Sequence, residues 1–268
     1  MSYARRFPLT AYFFLACLIG WYPFAATFLT GGSGAENFPL GPGIAAFVVL
    51  ACLGREELRA WGRRLRDWRA PVRWYAVALL VPIAVQLLIV LVNHGLGAPL
   101  PTSEQLADWP QVPVTFVAML ILVGIGEEIG WTAFSAPRLL ERHGFLTAFV
   151  LAASIRILWH LPMMLSGDLS WVLGIVGNTG FTMVTLLVLT QSGGRWSLVA
   201  VWHASLNAVG GPFFFTMVTG ADKARLGLLL SGSYVVLGTV WYIAVSRRRP
   251  SADPRTDELA VARARGVS

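Results

Sequence analysis

The chain has 268 residues, 56% hydrophobic and only 13% charged, with a formal net charge of +7 and a mean hydropathy of +0.63. So few charges on so apolar a chain exclude an ordinary soluble domain, in which about a quarter of residues are charged. The basic excess does not indicate nucleic acid either, because it alternates from loop to loop along the chain.

A helix that crosses a bilayer takes roughly 20 mainly apolar residues, and such windows fill most of the sequence. In chain order they are Leu9–Leu29, Phe38–Leu53, Trp74–Val92, Val112–Phe134, Phe145–Leu165, Leu169–Leu189, Trp196–Val218 and Leu226–Val245. They predict an all-α polytopic membrane protein of about eight transmembrane helices, one bundle over residues 1–249, with a polar, disordered cytoplasmic tail at 250–268. The first window follows Arg5 and Arg6 as a signal peptide would, but it outruns a typical h-region and reads as a retained helix. The second is short and interrupted by Pro and Gly, which predicts a helix that is tilted, broken or continued past Leu53. The alternation expected of β-barrel strands is not the pattern. Cys17 and Cys52 fall in apolar windows and read as packing residues rather than as a disulfide.

Charge sets the orientation. If the N-terminus is inside, every basic residue except Lys223, Arg225 and Arg156 falls in an inside segment, most densely between Arg55 and Arg73 and from Arg247 to Arg265. This is the positive-inside pattern. It predicts an integral protein of a bacterial plasma membrane with both termini cytoplasmic, a bilayer as its surroundings and no nucleic-acid partner. The Arg55–Arg73 loop is also suited to touch anionic lipid.

Ionisable groups near the bilayer centre cost about 2.5–3.5 kcal/mol each on insertion scales and mark functional sites by default. Inside the windows these are Glu127, Glu128 and Arg156, joined by His160, His203 and, one turn later, Asn207. His94 and His143 fall at helix ends, and Gln86, Asn178 and Gln191 read as structural. Folding the fourth and fifth windows about the turn between His143 and Gly144 brings Glu127 and His160 to the same depth, about 25 Å from the tip. The same mirror sets Arg156 opposite Trp131, beside Thr132. His203 and Asn207, four apart, share a helix face.

Such a cluster suits hydrolysis. A buried carboxylate at Glu127, facing a neutral His160, can hold and deprotonate one water. His203 and Asn207 can donate to the oxyanion of a tetrahedral intermediate. Glu128 points about 100° from Glu127 and reads as an orienting group for a donor or for substrate.

The runs Glu127-Glu128-Ile-Gly-Trp131, Trp159-His160-Leu-Pro162 and His203-Ala-Ser-Leu-Asn207, in this order and each in its own helix, resemble the three motifs of the CAAX-protease and bacteriocin-processing family of intramembrane glutamic endopeptidases. Pro137-Arg138-Leu139 is also similar to that family. The resemblance spans roughly Val112 to Gly210. It implies an eight-helix fold, a catalytic Glu127 with a water-holding partner at His160, and an oxyanion pair at His203 and Asn207. The expected substrate is a peptide or protein, membrane-associated or not, and no cofactor or metal is expected. There are two departures. Thr132 stands where the family's first motif carries Arg, and Arg156 stands where the second motif usually has Phe. Either activity has been lost or the basic group has moved to the facing helix.

Other readings are a catalytically inactive scaffold, immunity protein or chaperone on the same fold, and a proton-coupled transporter. The transporter would need further polar residues along a path, and the first three windows offer few. A zinc enzyme using Glu127, His160 and His203 lacks the HExxH signature.

Overall fold

In the computed structural model, residues 3–32 and 37–248 are described, and they hold helices and no strands. The expected disordered tail at 250–268 lies outside the described residues. The helices that position the site are α1 (Pro8–Gly20), α2 (Tyr22–Leu29), α3 (Gly41–Leu53), α4 (Arg55–Arg66), α5 (Val72–Gly95), α6 (Gln111–Arg142), α7 (Phe145–Trp159), α8 (Leu161–Ser166), α9 (Val172–Gln191), α10 (Trp196–Val209) and α11 (Gly220–Arg248). Six stretches are long and apolar enough to cross a membrane, and two more, α3 and α7, are apolar but shorter. Each apolar window has thus become helix, though not always one uninterrupted helix.

The interruptions have local causes. α2 begins at Tyr22, one residue after α1 ends, with Trp21 between them and Pro23 in its first turn. Pro162 likewise begins α8 after His160, because proline has no N–H to continue the ladder of α7. The short window ends at Gly54, whose φ of +132° suits glycine, and the chain then turns into the amphipathic α4 instead of extending α3. At 13 residues α3 is about 20 Å long, less than a bilayer core.

Exposed side chains recur at helical spacing: Leu80, Leu87 and Leu91 on α5, Val114, Val117 and Ile121 on α6, and Val236, Val240 and Ile243 on α11. These stripes face outward, while Gln86, Glu127, Glu128, Arg156 and His203 are buried. An apolar exterior around a polar centre is the arrangement a bilayer demands, and the chain is an integral membrane protein.

The centre is built on α6, which packs against α3 and α10. Small residues let the backbones close up. A Cβ on Gly124 would lie 2.7 Å from the Ala200 carbonyl oxygen, and one on Gly130 would lie 2.4 Å from that of Pro42. α6 is not uniformly α-helical: Leu120–Ile125 and Trp131–Ser135 are π-helical, and Gly126–Gly130 between them is α-helical. A change of helical pitch disturbs the i→i−4 ladder and leaves carbonyls in want of donors. α4 supplies two of them. Trp61 Nε1 donates to the Ile129 carbonyl (3.2 Å) and Arg64 Nη1 to that of Ala133 (2.9 Å). The Glu57–Arg138 ion pair (2.6 Å) fastens the same two helices at the surface.

Trp61→Ala is expected to cost about 3 kcal/mol of stability. Trp61→Phe keeps most of the packing and should cost about 1 kcal/mol for the lost hydrogen bond. Thermal unfolding in detergent measures both. A Phe variant as stable as the native protein would show that the bond to Ile129 contributes nothing.

Candidate active site

Glu127 and Glu128 sit in the α-helical turn between the two π segments of α6, 5% and 0% exposed. Adjacent on the helix, they face different neighbours. Glu128 Oε1 accepts from Arg156 Nη2 at 3.0 Å and from His203 Nδ1 at 2.9 Å. No hydrogen-bond partner among the described residues meets Glu127 Oε2. Donor atoms of Glu127, Glu128 and His203 all lie within 4.8 Å of one another.

Arg156 reaches this cluster from α7. Its guanidinium carbon lies 5.5 Å from the Trp131 ring and 5.1 Å from the Phe181 ring, so aromatic faces line its path to Glu128. His203, from α10, lies against Phe181 at 4.6 Å between centroids. The mirror that set position 156 opposite 131 therefore holds at that point, but the hairpin does not pack along its length. α7 meets α6 near their shared turn and then leans on α9 and α1, and the long Arg156 side chain spans the gap.

His160 occupies the break between α7 and α8. Its Nδ1 is 2.8 Å from the Arg156 carbonyl oxygen, which can only accept. The proton is thus on Nδ1, and Nε2 of the neutral ring is left as an acceptor. His160 stands apart from the 4.8 Å group of Glu127, Glu128 and His203. The break also frees the Trp159 carbonyl, which accepts from Trp21 Nε1 (2.9 Å) and Asn37 Nδ2 (2.7 Å). The discontinuities of the first and fifth windows therefore meet beside the site.

Asn207 is half-buried one turn beyond His203, and its side chain makes no hydrogen bond among the described residues. Thr132 donates from Oγ1 to the Glu128 carbonyl at 2.9 Å, and the basic group near the glutamates comes from Arg156. His94 bonds the Ala98 carbonyl at the end of α5, and His143 is exposed in the turn after α6.

The residues not singled out from sequence are Tyr12, Trp21, Asn37 and Phe181. Tyr12 Oη, Trp131 Nε1, Arg156 Nη1, Glu127 Oε2 and Glu128 Oε2 are all buried without a hydrogen-bond partner among the described residues. Tyr12 Oη is near Gly130, where a Cβ would stand 2.7 Å from it, and its ring meets Trp131 edge-on at 5.7 Å. Each such atom costs about 1–3 kcal/mol while unpaired. A cluster of them around one turn of α6 is suited to a polar guest, either water or a peptide bond.

Glu127, Glu128 and His203 have the spacing of a three-residue cation site. One oxygen of Glu128 already accepts from both Arg156 and His203, and a guanidinium 3.0 Å from that carboxylate would repel a cation. The residues present do not fit a metal without rearrangement.

No curated protein matches the chain. Residues 109–209, which carry Glu127, Arg156, His160, His203 and Asn207, match the family model described as Type II CAAX prenyl endopeptidase Rce1-like, consistent with the CAAX-protease and bacteriocin-processing family.

Proposed function

We propose that the protein is an intramembrane endopeptidase that hydrolyses a peptide bond with a water activated by Glu127. The observation that carries this reading is the division of labour between two adjacent buried carboxylates. Glu128 is held through Oε1 by both Arg156 and His203, whereas Oε2 of Glu127 meets no donor among the described residues in the same pocket. A carboxylate with a free lone pair is what a general base needs.

In this mechanism Glu127 takes a proton from water while the acceptor Nε2 of His160 holds the other hydrogen. The water oxygen adds to the substrate carbonyl carbon. His203, held by Glu128 through Nδ1, and the Asn207 amide are the groups that stabilise the developing oxyanion. Collapse breaks the C–N bond, and the proton held by Glu127 passes to the leaving nitrogen. Glu128 positions His203, and Arg156 compensates its charge. The substrate is a peptide or protein, with a prenylated C-terminal peptide and a leader peptide as the two candidate classes. Both termini and the Arg55–Arg73 loop face the cytoplasm in this proposal.

Purified protein in nanodiscs is the material for the test. His160→Ala should remove activity, and Asn207→Ala should reduce it less. EDTA should leave the rate unchanged; loss with EDTA and recovery with zinc would replace this mechanism by a metal-dependent one. Labelling of single-cysteine variants in the Arg55–Arg73 loop from the outer face would overturn the orientation.

A further inference from the structure

Beyond the site, the most distinctive feature is an open cavity of about 380 Å³ at the arginine-rich end of the bundle. Three separate segments form it: Arg63, Arg64 and Asp67 at the end of α4, Pro137 of α6, and Gly193-Gly194-Arg195 in the loop between α9 and α10. Its size lies at the low end of the roughly 300–1,000 Å³ typical of ligand sites.

The lining chemistry is that of an anion site. Three guanidinium groups face one carboxylate. Arg195 is paired with Asp67, and Arg64 uses Nη1 on the Ala133 carbonyl. Arg63 has no partner among the described residues and is exposed. Gly193 and Gly194 have φ of +70° and +85°, and nothing lies within 4 Å of where a Cβ would stand on either. The wall is therefore bare backbone in a conformation that favours glycine, and a ligand can approach it closely. Planar guanidinium forks match the oxygens of a phosphate group. A solvated basic loop would account for the number of arginines, but not for their convergence from distant parts of the chain on one concavity.

Position favours a phosphate carried by lipid. α4 turns Leu58, Trp61 and Leu65 onto the bundle while Arg55, Arg59, Arg63 and Arg66 stay exposed, as in a helix lying along a membrane surface. Trp68 and Trp196 meet edge-on at 5.3 Å beside the cavity, and tryptophan is enriched at that depth. The cavity lies between the end of α4, Pro137 of α6 and the α9–α10 loop that carries Arg195.

We propose that this cavity binds the phosphate of an anionic phospholipid headgroup. The full-length protein in mild detergent is offered phosphatidylglycerol or phosphatidylcholine, and retained lipid is counted by native mass spectrometry. The native protein should retain phosphatidylglycerol in preference. Arg63→Gln should weaken that retention about tenfold. Arg59→Gln, an exposed arginine of α4 outside the cavity, should leave it unchanged. Equal retention of the two lipids, or equal loss in both variants, would overturn the proposal. Inorganic phosphate that bound the delipidated protein as tightly as phosphatidylglycerol would identify a soluble anion as the ligand and overturn the lipid assignment.

Discussion

Glu127→Ala is expected to reduce hydrolysis by about 10²–10⁴ or more while leaving the protein folded. The two halves of that expectation come from the same observation. Glu127 is buried, yet its Oε2 meets no donor among the described residues, so removing the side chain breaks no hydrogen bond at that oxygen. Burial of an unpaired polar atom is itself a cost, so the variant should be at least as stable as the native protein. Glu127→Gln keeps the volume and removes the basicity, and should be as inactive. Glu128→Ala should behave differently, losing activity and stability together, because it strands Arg156 and releases His203. Turnover and thermal unfolding, measured in parallel, separate the two glutamates. Full turnover by Glu127→Ala would instead show that another group activates the water.

Arg156→Phe is the second variant with a large expected effect. Phenylalanine suits the space beside Trp131 and Phe181, so packing alone forecasts little loss. The charge argument forecasts the opposite. Glu128 is fully buried, and breaking a buried pair by removing one member costs about 3–5 kcal/mol. The variant should be unstable and inactive, and Arg156→Lys should recover only part of both, since an ammonium cannot reproduce the guanidinium fork. Adding Thr132→Arg to Arg156→Phe returns a cation to the neighbourhood of Glu128 from α6 itself and should restore part of the activity. If Arg156→Phe turned over substrate at the native rate, the Arg156–Glu128 pair would have no part in the chemistry.

Much of this site was legible before any coordinates because the bilayer sorts residues harshly. Glu127, Glu128, Arg156, His160 and His203 stood out as polar groups in apolar windows, and simple rise-per-residue arithmetic brought Arg156 next to Trp131. Other features left no such trace. The π segments flanking Glu127 and Glu128 carry the same apolar residues that an α-helix would, so hydropathy cannot register the change of pitch. Lipid-facing and protein-facing positions are both apolar, which hid the fact that α9 and α10 are the most enclosed spans while α5 and α11 are largely exposed. Asn37 lay one residue outside an apolar window, and its bond to the Trp159 carbonyl exists only because α7 breaks at His160. Pro162 was the visible sign of that break. The length of Arg156 compensates for the divergence of α6 and α7, and helix spacing alone could not reveal it.

The central claim is that Glu127 activates water for peptide-bond hydrolysis. Native protein and Glu127→Gln, each in nanodiscs, are incubated in heavy-oxygen water with a panel of prenylated C-terminal peptides and leader peptides, and the products are analysed by mass spectrometry. The native protein should release fragments whose new carboxyl group carries the heavy oxygen, and Glu127→Gln should release none. Equal cleavage by the two proteins, or no cleavage of any peptide by the native protein, would contradict the account.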